Sequence, residues 1–188
     1  MKQMSKNQSS MIRCLTEGGI SIALALVLSY LKIPLMAGFG GFGGSIDFVM
    51  VPLIVFAVRW GFSRGILVGF AFGTLKYFLA SGFAISWVSI IFDYSVAYAF
   101  VGFSGIFRKR YSLMPVAALV GCFARFIVHF ISGITVYAQY MPEEFMGITG
   151  MTPPLYSLLY NGTYMLPNTL IAIIACSALI PVVKKLER

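Results

Sequence analysis

Six long runs of apolar residues occupy most of this sequence, and within them polar residues do not alternate with apolar ones. The runs cover residues 18–35, 46–58, 65–79, 83–107, 113–138 and 155–183. Of the 188 residues, 59% are hydrophobic and only 11% are charged, a composition that a water-soluble domain could not tolerate on its surface. Within a bilayer every backbone amide needs an internal partner, and unalternating apolar runs satisfy this need as helices. We therefore predict an all-α, polytopic membrane protein with six transmembrane helices.

These runs form one predicted transmembrane domain over residues 1–188. The second and third runs are shorter than the ~20 residues that a spanning helix usually needs, so we expect flanking residues or burial within the bundle to complete them. Residues 1–12 are polar and basic, and no small-residue cleavage site follows them, which predicts a retained cytoplasmic tail. The three cysteines are widely spaced in apolar sequence, so we expect no disulfide, metal or cofactor.

The basic residues are grouped between alternate runs. If the amino terminus is inside, eleven of the fourteen Lys and Arg residues lie on the inner side of the membrane. These eleven are Lys2, Lys6, Arg13, Arg59, Arg64, Arg108, Lys109, Arg110, Lys184, Lys185 and Arg188. The positive-inside rule therefore predicts that both termini are cytoplasmic. Because the clusters are short and separated by apolar sequence, the net charge of +8 does not indicate nucleic-acid binding.

A glycine-rich loop, residues 36–45, connects the first two runs on the predicted outer side. Its sequence GFGGFGGS matches the dinucleotide-binding pattern GxGxxG. That pattern works only between a strand and a helix of a soluble βαβ unit, so we interpret the match as accidental. The loop is either a lid over the outer face or a plain connector.

Two ionisable residues, Asp93 and Arg125, lie deep within the fourth and fifth runs, where a charge is costly and marks a candidate functional site. At 1.5 Å per residue, Asp93 lies about 15 Å, Arg125 about 20 Å and His129 about 14 Å from the outer end. Asp93 can therefore meet Arg125 or His129 across two helices. By the same count Tyr156 and Asn161 lie about 3 and 10 Å from the outer end of the sixth run.

Arg125, His129, Gly133 and Tyr137 recur every four residues and form one stripe on the fifth helix. We expect Gly133 to leave room for a ligand between the polar groups. A pocket that opens outward and combines a carboxylate, an imidazole, an amide and tyrosines suits a small aromatic, nitrogen-rich or cationic solute.

The alternative is structural. Asp93 and Arg125 could form a buried ion pair that fixes helix register, while His129 and Asn161 make hydrogen bonds between helices. Trp87, near a membrane boundary, is expected to anchor the helix at the interface, with stacking on a ligand as its alternative role. The sequence contains no GxxxxGK[ST] loop, no HExxH and no DDxxD-like pair, so we do not expect an enzyme or an ATPase.

Six segments carry a resemblance to a known family. They are LTEGGISIALAL (15–26), SIDFVMVPL (45–53), RWGFSRGILVG (59–69), FDYSVAYAFVGFSG (92–105), RFIVHFISG (125–133) and YSLLYNGTYMLP (156–167). With them the chain resembles the thiamine-specific S component, or substrate-binding subunit, of energy-coupling factor (ECF) transporters. The resemblance implies a multi-pass protein of the bacterial cell membrane that binds thiamine. It also implies two kinds of partner, a transmembrane coupling subunit and two cytoplasmic ATPases.

The resemblance further implies which residues contact the vitamin. They are Asp93, Tyr94, His129, Tyr137, Tyr156 and Asn161. All of them except Tyr94 are also candidates from their position along the apolar runs. Some relatives have Glu at the position of Asp93 and Trp at that of Tyr137, which changes pocket size and stacking.

Gly19 and Ala23 form a small-xxx-small pair at the position of the family's AxxxA motif, which docks on the coupling subunit, with intramolecular packing as the alternative. The residues by themselves leave two other functions open. One is an S component or small carrier for another vitamin or a thiamine precursor, and the other is a non-transport membrane protein with a structural ion pair.

Overall fold

Helices account for most of the chain in the computed structural model, which describes residues 6–35, 43–80, 82 and 84–186. In chain order the helices are α1 (Lys6–Tyr30), α2 (Met50–Trp60), α3 (Phe62–Leu79), α4 (Trp87–Phe107), α5 (Met114–Thr135) and α6 (Pro153–Leu186). Two antiparallel hairpins of two-residue strands lie in the loops, β1 (Ile33–Pro34) with β2 (Ser45–Ile46) and β3 (Glu144–Phe145) with β4 (Ile148–Thr149). The predicted all-α fold with six helices is confirmed.

The helices differ in length as the apolar runs indicated. Four of them, α1, α4, α5 and α6, are long and apolar enough to cross a membrane. The shorter α2 has 11 residues, and eight of these are buried, including Leu53, Ile54 and Phe56. Its interior position explains how so short a helix is accommodated, since its ends are covered by protein rather than by lipid.

The first helix begins earlier than the sequence suggested. α1 starts at Lys6, so the part of the predicted cytoplasmic tail from Lys6 onward is helical, and residues 1–5 lie outside the described part. An ion pair one turn apart, in which Arg13 Nε lies 2.9 Å from Glu17 Oε1, stabilises the first part of α1.

The first part of α1 and the end of α6 meet at one end of the bundle, which we call the terminal end. There Arg13 Nη2 donates to the carbonyl oxygen of Leu186 over 2.8 Å. Glu17 also accepts from Arg59 and Trp60, at distances of 2.7 to 3.0 Å. We call Glu17, Arg13, Arg59 and Trp60 the terminal cluster. It joins α1 to α2, and the opposite end of the bundle is the cavity end.

The fourth helix is irregular. It begins with an α-helical turn at Trp87–Ile90, continues as a π-helical turn at Ile91–Val96, returns to α-helix at Ala97–Val101 and ends as a 3₁₀ helix at Gly102–Phe107. A π-helical turn inside an α-helix is rare and often coincides with a functional site. This one contains Asp93 and Tyr94.

Glycine packing brings α3 and α4 together along their backbones. Gly61, Gly65, Gly69 and Gly73 recur every fourth residue of the sequence. A Cβ atom added to Gly69 would overlap the carbonyl oxygen of Tyr98, a residue of α4. Small residues at such spacing allow helices to approach closely in a membrane.

Candidate ligand-binding site

A cavity of about 250 Å³ lies at the cavity end, between α3, α4, α5 and α6. All seven residues predicted to bind a ligand line it, and so does Arg125. The seven are Asp93, Tyr94, His129, Gly133, Tyr137, Tyr156 and Asn161. The structure therefore brings together predicted residues from three helices and one loop.

Asp93 and His129 face each other across the cavity wall. Asp93 Oδ1 lies 3.3 Å from His129 Nδ1, and both side chains are largely buried. Within the described part of the chain, Asp93 Oδ2 and His129 Nε2 are buried without a hydrogen-bond partner. Buried polar atoms of a protein are normally paired. The unpartnered carboxylate oxygen and ring nitrogen can therefore form hydrogen bonds with a bound molecule.

Arg125 does not form the ion pair with Asp93 that the structural alternative proposed. Its Nη2 donates to the hydroxyl of Tyr98 over 3.1 Å, and its guanidinium lies 4.1 Å from the centre of the Tyr98 ring. The depth count gave no information about helix rotation, and the rotation directs Arg125 toward Tyr98. Arg125 Nε and Nη1 are buried with no partner among the described residues, so they are available to a ligand.

Lys76 was not predicted as a site residue, yet it shares the hydroxyl of Tyr98 with Arg125. Lys76 Nζ donates to this oxygen over 2.6 Å and lies 3.6 Å from Asp47 Oδ2. Lysines near the end of an apolar run commonly extend toward the interface, and Lys76, only three residues from the end of its run, resembled that case. Its burial and its place in the cavity wall show that it points inward.

Three tyrosines at four-residue spacing make an aromatic wall on α6. The ring centres of Tyr156 and Tyr160 are 5.6 Å apart, and those of Tyr160 and Tyr164 are 6.0 Å apart. Of these, only Tyr156 was predicted. Tyrosines are common in this sequence, with ten in all, and helical spacing from Tyr156 was the signal that could have identified the other two.

Asn161 connects this wall to α5. Its Nδ2 donates to the backbone oxygens of Ser157, over 2.9 Å, and His129, over 3.3 Å, while its Oδ1 accepts from the hydroxyl of Tyr164 over 2.8 Å. The interhelical hydrogen bond of the structural alternative is therefore present at Asn161. The residue also lines the cavity, and direct contact with a ligand stays a prediction.

Gly133 differs from its predicted role. Although it lines the cavity, a Cβ atom at this position would overlap Ser157 Oγ. Ser157 in turn donates to the carbonyl oxygen of Phe130 over 2.9 Å. The space that Gly133 opens is therefore filled by α6 rather than left for a ligand.

Two aromatic predictions have different outcomes. Tyr137, two residues beyond the end of α5, lines the cavity. Burial, and then the charge of Asp93, raise the pKa of Tyr137, so it acts as a neutral hydroxyl. Trp87 is 73% exposed and does not belong to the cavity lining. The first turn of α4 directs this indole away from the bundle, so anchoring at the membrane interface stays the predicted role of Trp87.

The glycine-rich loop is described only from Gly43 onward, so the lid prediction for residues 36–45 falls mostly outside the described residues. Gly43, Gly44 and Ser45 line the cavity mouth. Asn168, which is buried, holds this end of the loop on α6. Its Nδ2 donates to the carbonyl oxygen of Ser45 over 2.7 Å, and its Oδ1 accepts from the Asp47 amide over 2.8 Å.

The predicted docking residues Gly19 and Ala23 are both exposed on α1. A Cβ atom at Gly19 would have no described atom within 4 Å, whereas one at Gly18 would lie 3.2 Å from Val68. Gly18 therefore packs within the bundle and Gly19 does not. The alternative of intramolecular packing is wrong for Gly19 within the described part of the chain, and docking stays a prediction.

Comparison with known proteins places this architecture among transporters. The sequence model of the thiamine transporter protein family matches residues 15–188. The thiamine transporter ThiT of Bacillus subtilis is 30% identical over 189 residues, which cover 90% of this chain and 92% of that protein. ThiT of Lacticaseibacillus paracasei is 26% identical over 197 residues, 95% and 92% of the two chains. A solved structure of ThiT from Listeria monocytogenes superposes with a TM-score of 0.78 at 25% identity, covering 94% of this chain and 98% of that one.

Proposed function

The chain belongs to the thiamine transporter protein family, whose members are multi-pass bacterial membrane proteins, and we propose that its cavity binds thiamine with high affinity for import. The observation that carries the proposal is the pair of unpartnered buried atoms, Asp93 Oδ2 and His129 Nε2, in the cavity wall. A carboxylate accepts hydrogen bonds from the amine of an aminopyrimidine, and such charge-assisted bonds are strong.

The other groups of the cavity complement the rest of the vitamin. Arg125 offers two buried N–H groups to acceptors such as the pyrimidine nitrogens or the terminal hydroxyl. The aromatic wall of Tyr156, Tyr160 and Tyr164 offers ring faces, which attract a cation such as the thiazolium ring. The positive charge of Lys76 is offset by Asp47, 3.6 Å away. A cationic ligand therefore meets less repulsion than the number of cavity cations suggests.

Thiamine binding by the purified protein in detergent tests the proposal. We expect saturable quenching of intrinsic fluorescence at submicromolar thiamine, without ATP or partner subunits, because the cavity is preformed in the isolated chain. Calorimetry checks the stoichiometry, and mass spectrometry identifies any small molecule retained through purification. If another vitamin or a thiamine precursor binds and thiamine gives neither signal nor heat, the assignment of the ligand is wrong.

We further propose that the terminal end faces the cytoplasm, following the positive-inside rule, so that the cavity opens to the outside. Import then requires a transmembrane coupling subunit and two cytoplasmic ATPases, as in ECF transporters, since the chain has no nucleotide-binding loop. The exposed pair of Gly19 and Ala23 on α1 is the proposed docking surface for the coupling subunit.

Replacing both Gly19 and Ala23 with Leu tests this docking surface. We expect thiamine affinity of the isolated subunit to stay unchanged while uptake by cells with the full transporter is abolished, because added bulk keeps the helices apart. The matched control is a Leu24→Ala, Val27→Ala variant, which changes exposed residues of the same helix without adding bulk. Loss of thiamine binding in the Leu variant would instead assign the pair to the bundle's own packing.

A further inference from the structure

The backbones of α3 and α4 are in close contact at the π-helical turn that carries Asp93 and Tyr94. A Cβ atom on Gly73 would overlap the carbonyl oxygen of Tyr94, and it would lie 2.6 Å from the Tyr94 carbonyl carbon and 3.0 Å from the Ser95 Cα. All three are backbone atoms, which cannot rotate away as a flexible side chain can. The position of this turn therefore depends on the absence of a side chain at residue 73.

A second contact holds the same turn. The hydroxyls of Thr74 and Ser95 lie 2.9 Å apart and share a hydrogen bond, and Thr74 Oγ1 also lies 3.0 Å from the carbonyl oxygen of Phe70. Ser95 is buried. Two consecutive residues of α3 thus contact two consecutive residues of the π-helical turn.

The π-helical turn determines where the Asp93 carboxylate lies. Asp93 faces α5, where its Oδ1 lies 3.3 Å from His129 Nδ1, while the neighbouring Tyr94 ring packs 5.2 Å from the ring of Tyr77 on α3. A π-helical turn contains one more residue per hydrogen-bonded ring than an α-helical turn. The directions in which the Asp93 and Tyr94 side chains point therefore depend on the π-helical geometry, and they would change if the turn became α-helical.

We infer that Gly73 is a positioning residue for the ligand site, because its contact with the Tyr94 backbone fixes the place of the Asp93 carboxylate. Thr74 supports the same role through Ser95. The inference rests on the proposed function in taking thiamine as the ligand and its amine as the partner of Asp93. Protein interiors transmit such a displacement because they are closely packed.

The test compares Gly73→Ala with Gly65→Ala in the purified protein. Gly65 lies two helical turns from Gly73, about 12 Å along α3, and a Cβ atom there would lie 2.7 Å from the Ala57 Cβ and 3.1 Å from the Gly102 Cα. Both variants therefore crowd the packing of α3, but only Gly73→Ala displaces the turn with Asp93. Binding is measured for thiamine and for oxythiamine, in which oxygen replaces the pyrimidine amine.

We expect Gly73→Ala to raise the Kd for thiamine about tenfold or more, the change that accompanies loss of a hydrogen bond to a charged group. The Kd for oxythiamine should change much less, so that the preference for the amine falls. Gly65→Ala should keep this preference even if its melting temperature drops. A general loosening of the bundle would weaken the binding of thiamine and oxythiamine equally, and that outcome would overturn the inference. An unchanged thiamine affinity in Gly73→Ala would also overturn it.

If Gly73→Ala does not fold, Thr74→Val decides, since it keeps the side-chain shape and removes the hydroxyl contact with Ser95. A folded Thr74→Val protein that has lost preference for thiamine supports the inference, and one with unchanged preference rejects it. Absence of thiamine binding by the unaltered chain would reject the proposed function itself. If the unaltered chain binds thiamine and the Gly73→Ala variant binds it equally well, only the role of Gly73 is rejected.

Discussion

The bundle contains two polar clusters, one at each end, and their carboxylates differ in how many of their hydrogen bonds are made. In the terminal cluster both oxygens of Glu17 accept two hydrogen bonds each, from Arg13, Arg59 and Trp60, at 2.7 to 3.0 Å. In the cavity, Asp93 Oδ2 and His129 Nε2 have no partner in the described part of the chain. A carboxylate whose two oxygens are both paired stabilises a fold, whereas buried groups without partners are costly unless something else binds them.

This difference separates structural polar groups from functional ones without reference to their depth. Glu17 and Asp93 are both carboxylates within apolar helices. The bidentate Arg59 contact with Glu17 is the geometry in which an ion pair is strongest. Together with Arg13 and Trp60, it gives both carboxylate oxygens hydrogen-bond partners. The partners that Asp93 lacks are those that an incoming ligand would supply. Substitutions at the two ends should therefore affect different measurements.

The largest effect is expected at the terminal cluster. Glu17→Ala removes the shared partner of Arg59 and Trp60, and loss of one member of a buried ion pair typically costs about 3–5 kcal/mol. Because the Glu17 side chain is 25% exposed, we expect the lower part of this range, about 3 kcal/mol, in the free energy of unfolding. Denaturant unfolding in detergent measures it, with Glu143→Ala on an exposed loop as control. A raised Kd for thiamine in folded Glu17→Ala would contradict the separation.

At the cavity end, Asp93→Asn should affect binding. The substitution keeps the shape, removes the charge and replaces an acceptor with a donor that faces the ligand's amine. A hydrogen bond to a charged group contributes roughly 1.5 to 3 kcal/mol, so the Kd for thiamine should rise about tenfold to a hundredfold. Stability should change little, since Arg125 is paired with Tyr98 and loses no partner. Calorimetry with thiamine and a thermal melt decide, and unchanged affinity would leave Asp93 as the structural partner of His129.

Tyr164→Phe tests the comparison between paired and ligand-facing groups, because Tyr164 both makes an internal hydrogen bond and faces the cavity. Its hydroxyl donates to Asn161 Oδ1 over 2.8 Å, and it lines the cavity. Removing a neutral hydrogen bond costs about 1 kcal/mol, which we expect to divide between unfolding free energy and a Kd increase of about threefold. Tyr160→Phe, whose hydroxyl donates to Gly43 at the cavity mouth, is the matched comparison. A loss of affinity as large as that of Asp93→Asn would make the Tyr164 hydroxyl a direct ligand contact.

The smallest effect is expected for Trp87→Phe. The exposed indole does not line the cavity, so the Kd for thiamine should stay within about twofold. Titration of the variant by calorimetry avoids the loss of the tryptophan fluorescence signal. A tenfold weaker Kd would restore the stacking role that the sequence left open for this residue.

Much of this site could be predicted because a bilayer makes ionisable residues conspicuous. Asp93 and His129 were identified from depth alone, since a charge or an imidazole so far inside an apolar run is rare. Depth is a single coordinate, however. The direction in which a side chain points also depends on helix rotation, and this is why Arg125 was wrongly paired with Asp93 in the structural alternative.

The rest depended on features that no local pattern encodes. The π-helical turn at Ile91–Val96 leaves no signature that hydrophobic periodicity can reveal over so short a segment. Lys76 required knowledge of which face of α3 meets α4. Gly133 was correctly placed at the cavity, but whether its open side holds a ligand or the Ser157 side chain depends on how closely α6 approaches.

The exposed face of α1 has a consequence for the proposed docking on a coupling subunit. This helix is the least buried of the four long ones, and lipid acyl chains are as apolar as the side chains they cover. Moving such a face from lipid to another helix brings no gain from leaving water. What another helix can offer and lipid cannot is close backbone approach at Gly19. Such an association depends on shape complementarity rather than on hydrophobicity, and the two helices can separate again without exposing apolar surface to water.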